Sequence, residues 1–337
     1  ACVRIDETTG QLTRLPLPAE RIFAAEGGTG QRGTILYVLS GMKISAGNLS
    51  GGMFRSSDWG ESWVQINNGL LEGVPEGEVP QARSFGVCEK QPETVYISTR
   101  NARAAREIGG AWIFGIFKTE NAGESWKPVW LANGEGYLTN NHEGSWLDRQ
   151  WGPGWGGNPI DLGVAPTDPD ICFGTDAGRA YRTKDGGRSW EEQRSPVRID
   201  LNAVQFVDKK HGWAVGDIST VIHTSDGGKT WVQQISPLSN PELKIGRDGL
   251  PCHDGYNNLY DLFFLNEKEG WVVGFVGMAF HTEDGGKTWQ RQWVPTDQVL
   301  LCVFFIDEKR GWIGARNGEI FKTTDGGKTW YPLFTGM

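Results

Sequence analysis

Hydrophobic and polar residues alternate along this chain in short runs, and the runs recur in a fixed order. In the second half of the chain, one set of four runs spans 202–207, 211–216, 220–224 and 230–235. The same order begins again at 260–264 and at 301–305, each time followed by a Gly-Trp run. Alternation over four to eight residues predicts half-buried β-strands rather than helices. The sequence therefore predicts repeated four-stranded units.

One octapeptide pattern, Ser/Thr-x-Asp-x-Gly-x-Ser/Thr-Trp, joins the last two runs of each unit. Its six copies span 56–63, 119–126, 183–190, 224–231, 282–289 and 323–330. The second copy carries Asn121 in place of Asp. Because each copy connects two strands, we expect a hairpin turn in which Asp accepts backbone N–H groups and Gly supplies positive φ. The hydroxyl adds a local hydrogen bond and the Trp packs on the neighbouring sheet, so these residues are expected to be structural.

This octapeptide resembles the Asp box of sialidases, sortilin-type receptors, xyloglucanases and photosystem II assembly factors, which are all β-propellers. The resemblance covers nearly the whole chain. It implies an all-β propeller of four-stranded antiparallel blades, since a sheet repeated every 40 to 60 residues or so is a propeller blade. Six complete blades are predicted within a single domain spanning 1–337, at 18–70, 71–133, 159–195, 196–237, 259–296 and 297–337. Segments 134–158 and 238–258 are predicted insertions.

Segment 1–17 has the pattern of strand, turn and strand, with a degenerate box. It is predicted to supply the two outer strands of a seventh, partial blade. The alternatives are a trimmed sequence, incomplete closure, or a hairpin that decorates a six-bladed ring.

The longest connections are predicted to lie on one face. The box turn joins the third and fourth strands of a blade, so connections from strand two to three, and from strand four to the next blade, open on the opposite face. Four long segments fall there, namely 39–53, 98–112, 128–159 and 236–258. Long loops inside a compact domain are usually functional. We therefore predict a functional site on the face opposite the boxes.

The residues in these segments suit a sugar ligand. Three loop tryptophans would stack on the apolar faces of sugar rings, namely Trp146, Trp151 and Trp155. The polar residues predicted to bind substrate are Arg100, Arg103, Arg106, Arg247, His253 and Tyr256. An acidic protein that gathers Arg on one face is suited to a carboxylate or sulfate ligand. The alternative is that the Trp form a loop core and the Arg are solvated.

Segment 173–178 resembles the turn of xyloglucanase-type hydrolases in which an Asp acts in catalysis. The resemblance implies that Asp176 is a catalytic carboxylate. With a second acid about 6 to 10 Å away, either Asp148 or Glu143, it would serve as the general base of an inverting hydrolase.

A lyase of uronic-acid polymers is the second chemistry considered. Tyr137 or His142 would abstract the proton beside a carboxylate that Arg149 neutralises. Across both chemistries, the candidate catalytic residues are Asp176, His142, Tyr137, Arg149 and Asp148.

Composition excludes several classes of function. The 337 residues include 48 Gly and 16 Trp, both in excess of average usage, which favours short strands and tight turns. The net charge of −8 argues against a nucleic-acid partner, and no segment approaches the ~20 apolar residues of a membrane span. Without an apolar signal-peptide core, the sequence is interpreted as that of a processed or excised chain. We predict a monomeric, extracytoplasmic protein, that is, secreted or periplasmic.

Metal and redox chemistry are not expected. The five Cys are widely spaced without a Cys-x-x-Cys pair, and are predicted to be small buried residues or to form at most two disulfides. No cofactor is expected, although Asp248 and Asp254 could hold a structural Ca²⁺.

Two functions remain open. The favoured prediction is a propeller that binds a polysaccharide or oligosaccharide and cleaves it, as a glycoside hydrolase or uronate lyase, on the face opposite the boxes. The alternative is a non-catalytic propeller with a protein partner. Blades 201–330, with Gly-Trp-x-x-Gly before Thr-x-Asp-Gly-Gly-Lys-Thr-Trp, resemble the photosystem II assembly-factor family, which implies partner binding without chemistry. The insertions of the first half favour the enzyme.

Overall fold

The chain is an all-β protein. The computed structural model describes residues 2–5, 12–16, 18–19, 22–45, 48–70, 80–101, 113–132, 161–176, 179–197, 199–237 and 257–333. Within them, 26 strands form six four-stranded sheets and one two-stranded hairpin, with two one-turn 3₁₀ segments. Strands that follow one another in the chain are neighbours in each sheet. The predicted fold class, six antiparallel blades of a β-propeller, is confirmed.

The chain divides into two compact units, which are described separately. Unit 1 comprises Ala1–Asp176 and Tyr181–Glu192, and unit 2 comprises Ala177–Ala180 and Gln193–Met337. The first strands are the hairpin β1 (Cys2–Ile5) and β2 (Leu12–Leu15). Blade 1 contains β3 (Ile22–Gly30), β4 (Gly33–Ser45), β5 (Asn48–Ser56) and β6 (Val64–Gln65). Blade 2 contains β7 (Pro80–Val87), β8 (Val95–Asn101), β9 (Ile113–Thr119) and β10 (Lys127–Ala132). Blade 3 contains β11 (Asp161–Val164), β12 (Cys172–Asp176), β13 (Arg179–Thr183) and β14 (Glu191–Gln193).

The remaining three blades lie in unit 2. Blade 4 contains β15 (Leu201–Phe206), β16 (Gly212–Gly216), β17 (Val221–Thr224) and β18 (Val232–Gln233). Blade 5 contains β19 (Leu259–Phe264), β20 (Gly270–Gly274), β21 (Met278–Thr282) and β22 (Gln290–Trp293). Blade 6 contains β23 (Leu300–Phe305), β24 (Gly311–Ala315), β25 (Ile320–Thr323) and β26 (Tyr331–Leu333). The 3₁₀ segments Asp217–Ser219 and Arg316–Gly318 join the second and third strands of blades 4 and 6.

The N-terminal segment forms the predicted hairpin, with Cys2 opposite Leu15. It contacts the first Asp box. Leu15 is buried, and a Cβ placed on Gly60 would lie 2.7 Å from the Leu15 Cδ1 atom. The indole of Trp63 donates a hydrogen bond to the Pro16 carbonyl at 3.1 Å. The assignment of this hairpin to a seventh blade stays a prediction.

Segment 39–53, predicted as a long loop, is instead a β-hairpin. Strands β4 and β5 remain paired as far as Ser45 and Asn48, across a register shift between Ser40 and Lys43. The prediction was wrong because the two strands continue through this segment, with Gly51 and Gly52 inside β5. Both adopt positive φ within β5, as glycine in an irregular strand can.

Apolar side chains between neighbouring sheets make up the cores of both units. In unit 1 one core cluster includes Tyr37, Phe85, Phe117 and Trp126. In unit 2 the clusters centre on Trp213 with Phe264 and on Trp271 with Phe305. Burial of large aromatic rings in this way is the main stabilising contribution to blade packing.

Aromatic residues of the second strand hydrogen-bond to the next blade. In unit 1, the Tyr37 hydroxyl donates to the Pro92 carbonyl at 2.6 Å and the Tyr96 hydroxyl to the Pro169 carbonyl at 2.8 Å. In unit 2, the Trp213 indole donates to the Gly285 carbonyl at 3.0 Å and the Trp271 indole to the Gly326 carbonyl at 3.2 Å. The equivalent Trp312 indole nitrogen is buried and has no hydrogen-bond partner among the described residues.

Candidate functional site

Most residues of the predicted site lie outside the described residues. These are His142, Tyr137, Arg149, Asp148, Glu143, Trp146, Trp151, Trp155, Arg103, Arg106, Arg247, His253 and Tyr256, and the Ca²⁺ candidates Asp248 and Asp254. Asp176 is the last residue of β12, and Arg100 is the second-last residue of β8. Both are at the end of a second strand, the end opposite the box. The roles predicted for all of these side chains stay predictions.

All six Asp boxes share one hydrogen-bond pattern. In the fourth box the Asp226 carboxylate accepts the Thr224 hydroxyl at 2.9 Å, and the Thr230 backbone N–H and hydroxyl at 2.9 and 2.7 Å. The Thr224 hydroxyl in turn accepts the N–H of Gly228 at 2.8 Å. In the second box, Asn121 keeps the geometry by donating from Nδ2 to the Ser125 hydroxyl at 3.0 Å. The predicted structural role of the box is confirmed.

These contacts stabilise the ionised form of the box carboxylates and lower their pKa values. Hydrogen bonds from the hydroxyl and backbone N–H of Ser62, and from the Ser56 hydroxyl, lower the pKa of Asp58 to about 2. In the four boxes from blade 3 to blade 6, partial burial acts to raise the pKa of the Asp. Hydrogen bonds outweigh that effect, so each pKa is lowered. The five Asp-containing boxes therefore hold negative charges whose hydrogen bonds are used within a structural turn, and their lowered pKa values make them weak bases.

The residue immediately before every box is Arg, Lys or His, and it lies beside the aromatic residue of the second strand. The six residues at this position are Arg55, Lys118, Arg182, His223, His281 and Lys322. In unit 2 the His223 ring lies 4.6 Å from the Trp213 ring, and the His281 ring lies 4.8 Å from the Trp271 ring. From the sequence, His223 and His281 are expected to be residues of the sheet surface, whereas His281 is buried. The recurrence of Arg, Lys or His before all six boxes is the signal that distinguishes this position.

The two histidines of this set have different environments. Burial lowers the pKa of His223 to about 4, with the nearby His211 and Lys287 contributing. His281 is buried, and its Nε2 lies 2.6 Å from the Glu269 Oε1 atom. The pair lies beside a cleft of about 490 Å³ that also contains Glu283, Glu308 and Lys309. This cleft, at the box edge of blades 5 and 6, is polar and carries predominantly acidic groups.

At the edge opposite the boxes, a two-residue turn joins the second and third strands in each of blades 4, 5 and 6, and both turn residues have positive φ. Blade 6 has the favourable pair Asn317-Gly318 there, with φ of 63° and 78°. Blade 5 has Val276 at φ 41°, and blade 4 has Ile218 at φ 55° followed by Ser219 at 50°. Positive φ is strained for β-branched residues. The strain is concentrated in blades 4 and 5.

Hydrogen bonds from the next blade hold the strained turn of blade 4. The buried Ser219 donates both its N–H and its hydroxyl to the Asn257 carbonyl, at 2.8 and 2.7 Å. The Asn258 side chain accepts the Ile218 N–H at 3.3 Å. Burial raises the pKa of Asp217 in the same turn, opposed by a hydrogen bond from Asn202, with the nearby Asp200 contributing to the rise.

Blade 5 exposes apolar groups at this same end. The Trp293 side chain, at the end of β22, is 73% exposed, and Val276 is 44% exposed. Trp293 pairs with Met278, which directly follows the strained turn. Exposed aromatic and aliphatic residues near a strained turn are a candidate binding surface. We call Ile218, Val276 and Trp293 the tip surface of blades 4 and 5.

The six boxes and the six blades together define the class of protein. The chain belongs to the Asp-box, or BNR-repeat, β-propeller superfamily. The family model described as "Photosynthesis system II assembly factor YCF48" matches residues 188–293, just under a third of the chain. That range contains blades 4 and 5 with the tip surface. No curated protein matches the sequence.

Solved structures share the fold at low identity. An ancestral GH74 enzyme, AFV00434, is 12% identical with a TM-score of 0.57, covering 93% of this chain and 38% of that one. The U3-55K structure is 10% identical with a TM-score of 0.56, covering 89% and 77%. "YCF48 bound to D1 peptide" is 16% identical with a TM-score of 0.41, covering 93% and 95%. The first two similarities concern the fold alone, and the TM-score of the third is too low for that similarity to bear on function.

Other sequence-based predictions have simpler outcomes. Among the described residues, no helix is long and apolar enough to cross a membrane. Cys88 and Cys172 are buried free thiols, and Cys302 is a free thiol on the surface. Burial raises the pKa of both Cys88 and Cys172, so these two thiols are small core residues and not nucleophiles.

Proposed function

We propose that this protein is a non-catalytic propeller that binds a protein partner through the tip surface of blades 4 and 5, and acts in the assembly of that partner. The observation that carries the proposal is the match of residues 188–293 to the assembly-factor family model, because this range contains both blades. The partner class follows from the family description.

The contacts of the tip surface support a binding role. Trp293 and Val276 expose apolar area that contributes nothing to the blade cores. Aromatic residues are enriched among the few side chains that dominate protein interfaces. Backbone strain at Ile218 and Val276 persists only where surrounding structure enforces it, and such strain clusters at binding sites.

The competing function is the polysaccharide binding and cleavage predicted from the long insertions. It depends on Asp176, His142, Tyr137 and Arg149, with Trp151 and its neighbours as sugar platforms. Polysaccharide binding would use the edge of the blades opposite the boxes, as protein binding would. The two functions are therefore tested side by side.

Site-specific photocrosslinking tests the protein-binding proposal. A photoreactive phenylalanine derivative replaces Trp293 in one variant and Tyr331 in a matched control, because Tyr331 is also an exposed aromatic residue, on the outer strand of blade 6. The expected result is one discrete protein adduct from position 293 and none from position 331. Binding of a labelled D1 peptide, reduced at least tenfold by Trp293→Ala, would identify the partner type.

Reducing-end release from neutral and anionic polysaccharides is measured in parallel. No release is expected. Release that disappears in Asp176→Ala or His142→Ala, with no adduct from position 293, would overturn the proposal and establish the carbohydrate-active enzyme instead.

A further inference from the structure

A carboxylate–histidine cluster joins blades 4 and 5 at the box edge. Asp208 and His211 belong to the turn between β15 and β16, and Glu267 belongs to the turn between β19 and β20. The His211 Nδ1 atom lies 2.8 Å from the Asp208 Oδ2 atom and 3.4 Å from the Glu267 Oε1 atom. One ligand atom from each residue lies within 4.8 Å of the other two.

The three side chains of this cluster do not satisfy one another's hydrogen bonds and charges. The Nδ1 atom of an imidazole carries at most one hydrogen, yet two carboxylates approach it. Asp208 uses its other oxygen, Oδ1, to accept the backbone N–H groups of Lys210 and His211 at 2.6 and 2.7 Å. Its Oδ2 is thereby aimed at His211. Among these three side chains, two carboxylates therefore face a single imidazole.

We propose that Asp208, His211 and Glu267 bind a divalent transition-metal ion, with Zn²⁺ as the expected metal. An imidazole with two carboxylates is a donor set suited to zinc, and the fourth position would take water. Donors of a tetrahedral zinc site lie about 3.3 Å apart, given metal–ligand distances of about 2.0 to 2.2 Å. The 3.4 Å from Nδ1 to Glu267 is close to this value, and the 2.8 Å from Nδ1 to Asp208 is a hydrogen-bond distance that would lengthen by about 0.5 Å on metal binding.

Aromatic packing holds the metal-binding imidazole in place. The His211 ring stacks on His223 at 6.4 Å and 13°, and His223 packs on the buried Trp213. Because the ligands come from two blades, metal binding would tie blade 4 to blade 5. The metal would have a structural role, as a cross-link between the two blades at the edge opposite the tip surface.

The neighbouring blades offer matched controls. In blade 6 the position of His211 is taken by Arg310, whose Nε donates to the Asp307 Oδ2 atom at 2.7 Å. His211→Arg should therefore preserve the turn and its ion pair while removing the metal ligand. In blade 5, His281 pairs with Glu269 and is not one of the three proposed ligands, so His281→Gln leaves the proposed site intact.

Titration of the metal-free full chain with ZnCl₂ in a calorimeter tests the proposal. One Zn²⁺ is expected per chain, with affinity reduced at least tenfold in His211→Arg and in Glu267→Gln and unchanged in His281→Gln. The thermal midpoint should rise with Zn²⁺ in the wild type and not in His211→Arg, because only the folded state holds all three ligands together. Co²⁺ should give the visible absorption of a tetrahedral site.

Three results would overturn the proposal. They are no heat of binding to the wild type, unchanged affinity in the folded His211→Arg variant, or an equal loss in His281→Gln. Each would show that the cluster is an ion pair between blades and holds no metal.

Discussion

The two units use different chemistry at the same place in the blade. In unit 1 the second-strand aromatics are Tyr37 and Tyr96, whose hydroxyls reach Pro carbonyls of the next blade. In unit 2 they are Trp213 and Trp271, whose indoles reach the carbonyl of the next Asp box. The comparison teaches that a second-strand aromatic ring can donate to a backbone carbonyl of the next blade in either unit, although the carbonyl belongs to a proline in unit 1 and to an Asp box in unit 2.

The cations that flank these rings differ as well. Unit 1 places permanent charges there, with Lys118 over Tyr96 and Arg182 over Phe173. Unit 2 has His223 and His281 in blades 4 and 5. Of the six positions, only those of blades 4 and 5 carry an imidazole, and burial lowers the pKa of His223 to about 4, so this ring is neutral at pH 7.

The largest expected effect is that of Trp271→Ala. This change removes a ring stacked 3.5 Å from Phe305 together with its hydrogen bond to Gly326, and should cost about 3 to 5 kcal/mol of unfolding free energy. Trp312→Ala should cost less, because the Trp312 ring is only half-buried and its indole has no hydrogen-bond partner among the described residues. Urea unfolding followed by circular dichroism measures both. Equal losses would show that indole docking is unimportant.

Acidification should destabilise unit 2 through His223. Because its folded pKa of about 4 is below the unfolded value near 6.5, the unfolded state binds more protons between these values. Stability is therefore greatest above pH 6.5 and declines as the pH falls towards 4, by on the order of 2 kcal/mol. Thermal midpoints from pH 4 to 8 should show this slope in the wild type. His223→Gln should flatten it, and an unchanged slope would exclude His223 as its source.

Tyr37→Phe isolates the hydroxyl of the unit 1 arrangement. The Pro92 carbonyl lies on a buried residue and would lose its donor, so a cost of about 1 to 3 kcal/mol is expected. Tyr96→Phe should cost less, since Pro169 is only half-buried. The same urea assay serves. A negligible loss in Tyr37→Phe would mean that the ring alone docks the blade.

The smallest effect concerns the fourth position of the box. Blades 3 to 6 have Gly there, whereas the first box has Trp59, which is 57% exposed at φ 60°. Trp59→Gly should stabilise the protein by about 0.5 to 1 kcal/mol, as relief of strain outweighs the added entropy of the unfolded chain. Gly285→Ala should do the reverse, because its Cβ would lie 2.7 Å from the Glu267 carbonyl oxygen. Differential scanning calorimetry of both variants tests these two opposite effects, and destabilisation by Trp59→Gly would contradict the prediction.

The repeat made the fold predictable, because one octapeptide specifies a turn through local hydrogen bonds alone. The Asp226 carboxylate, for example, finds all of its partners within four residues. The hairpin at 39–53 was missed because glycines at positive φ can interrupt a strand or remain inside it, and sequence does not distinguish these cases.

The candidate sites could not be predicted in the same way. Val276 and Ile218 are ordinary strand formers by type, and only their backbone angles reveal strain. Glu267 joins His211 through the packing of two blades, at a separation of 56 residues that no local motif encodes. The loop residues chosen from the sequence, Trp151 and His142 among them, lie outside the described residues, so their roles remain predictions.

The Asp box carries its docking acceptor in its own backbone, and this has an evolutionary consequence. The backbone carbonyl at the fourth position of the box accepts hydrogen bonds from side chains of the preceding blade. The Gly285 carbonyl accepts from Trp213 and Gln234, and the Gly326 carbonyl accepts from Trp271 and Gln292. The Ala122 carbonyl accepts from Arg55. A duplicated blade would therefore bring its acceptor with it, whatever its side chains. It would need a single compatible donor from the blade before it. Gene segments encoding whole blades could thus be gained or exchanged with few compensating substitutions, as in other repeat proteins whose units contact only their neighbours.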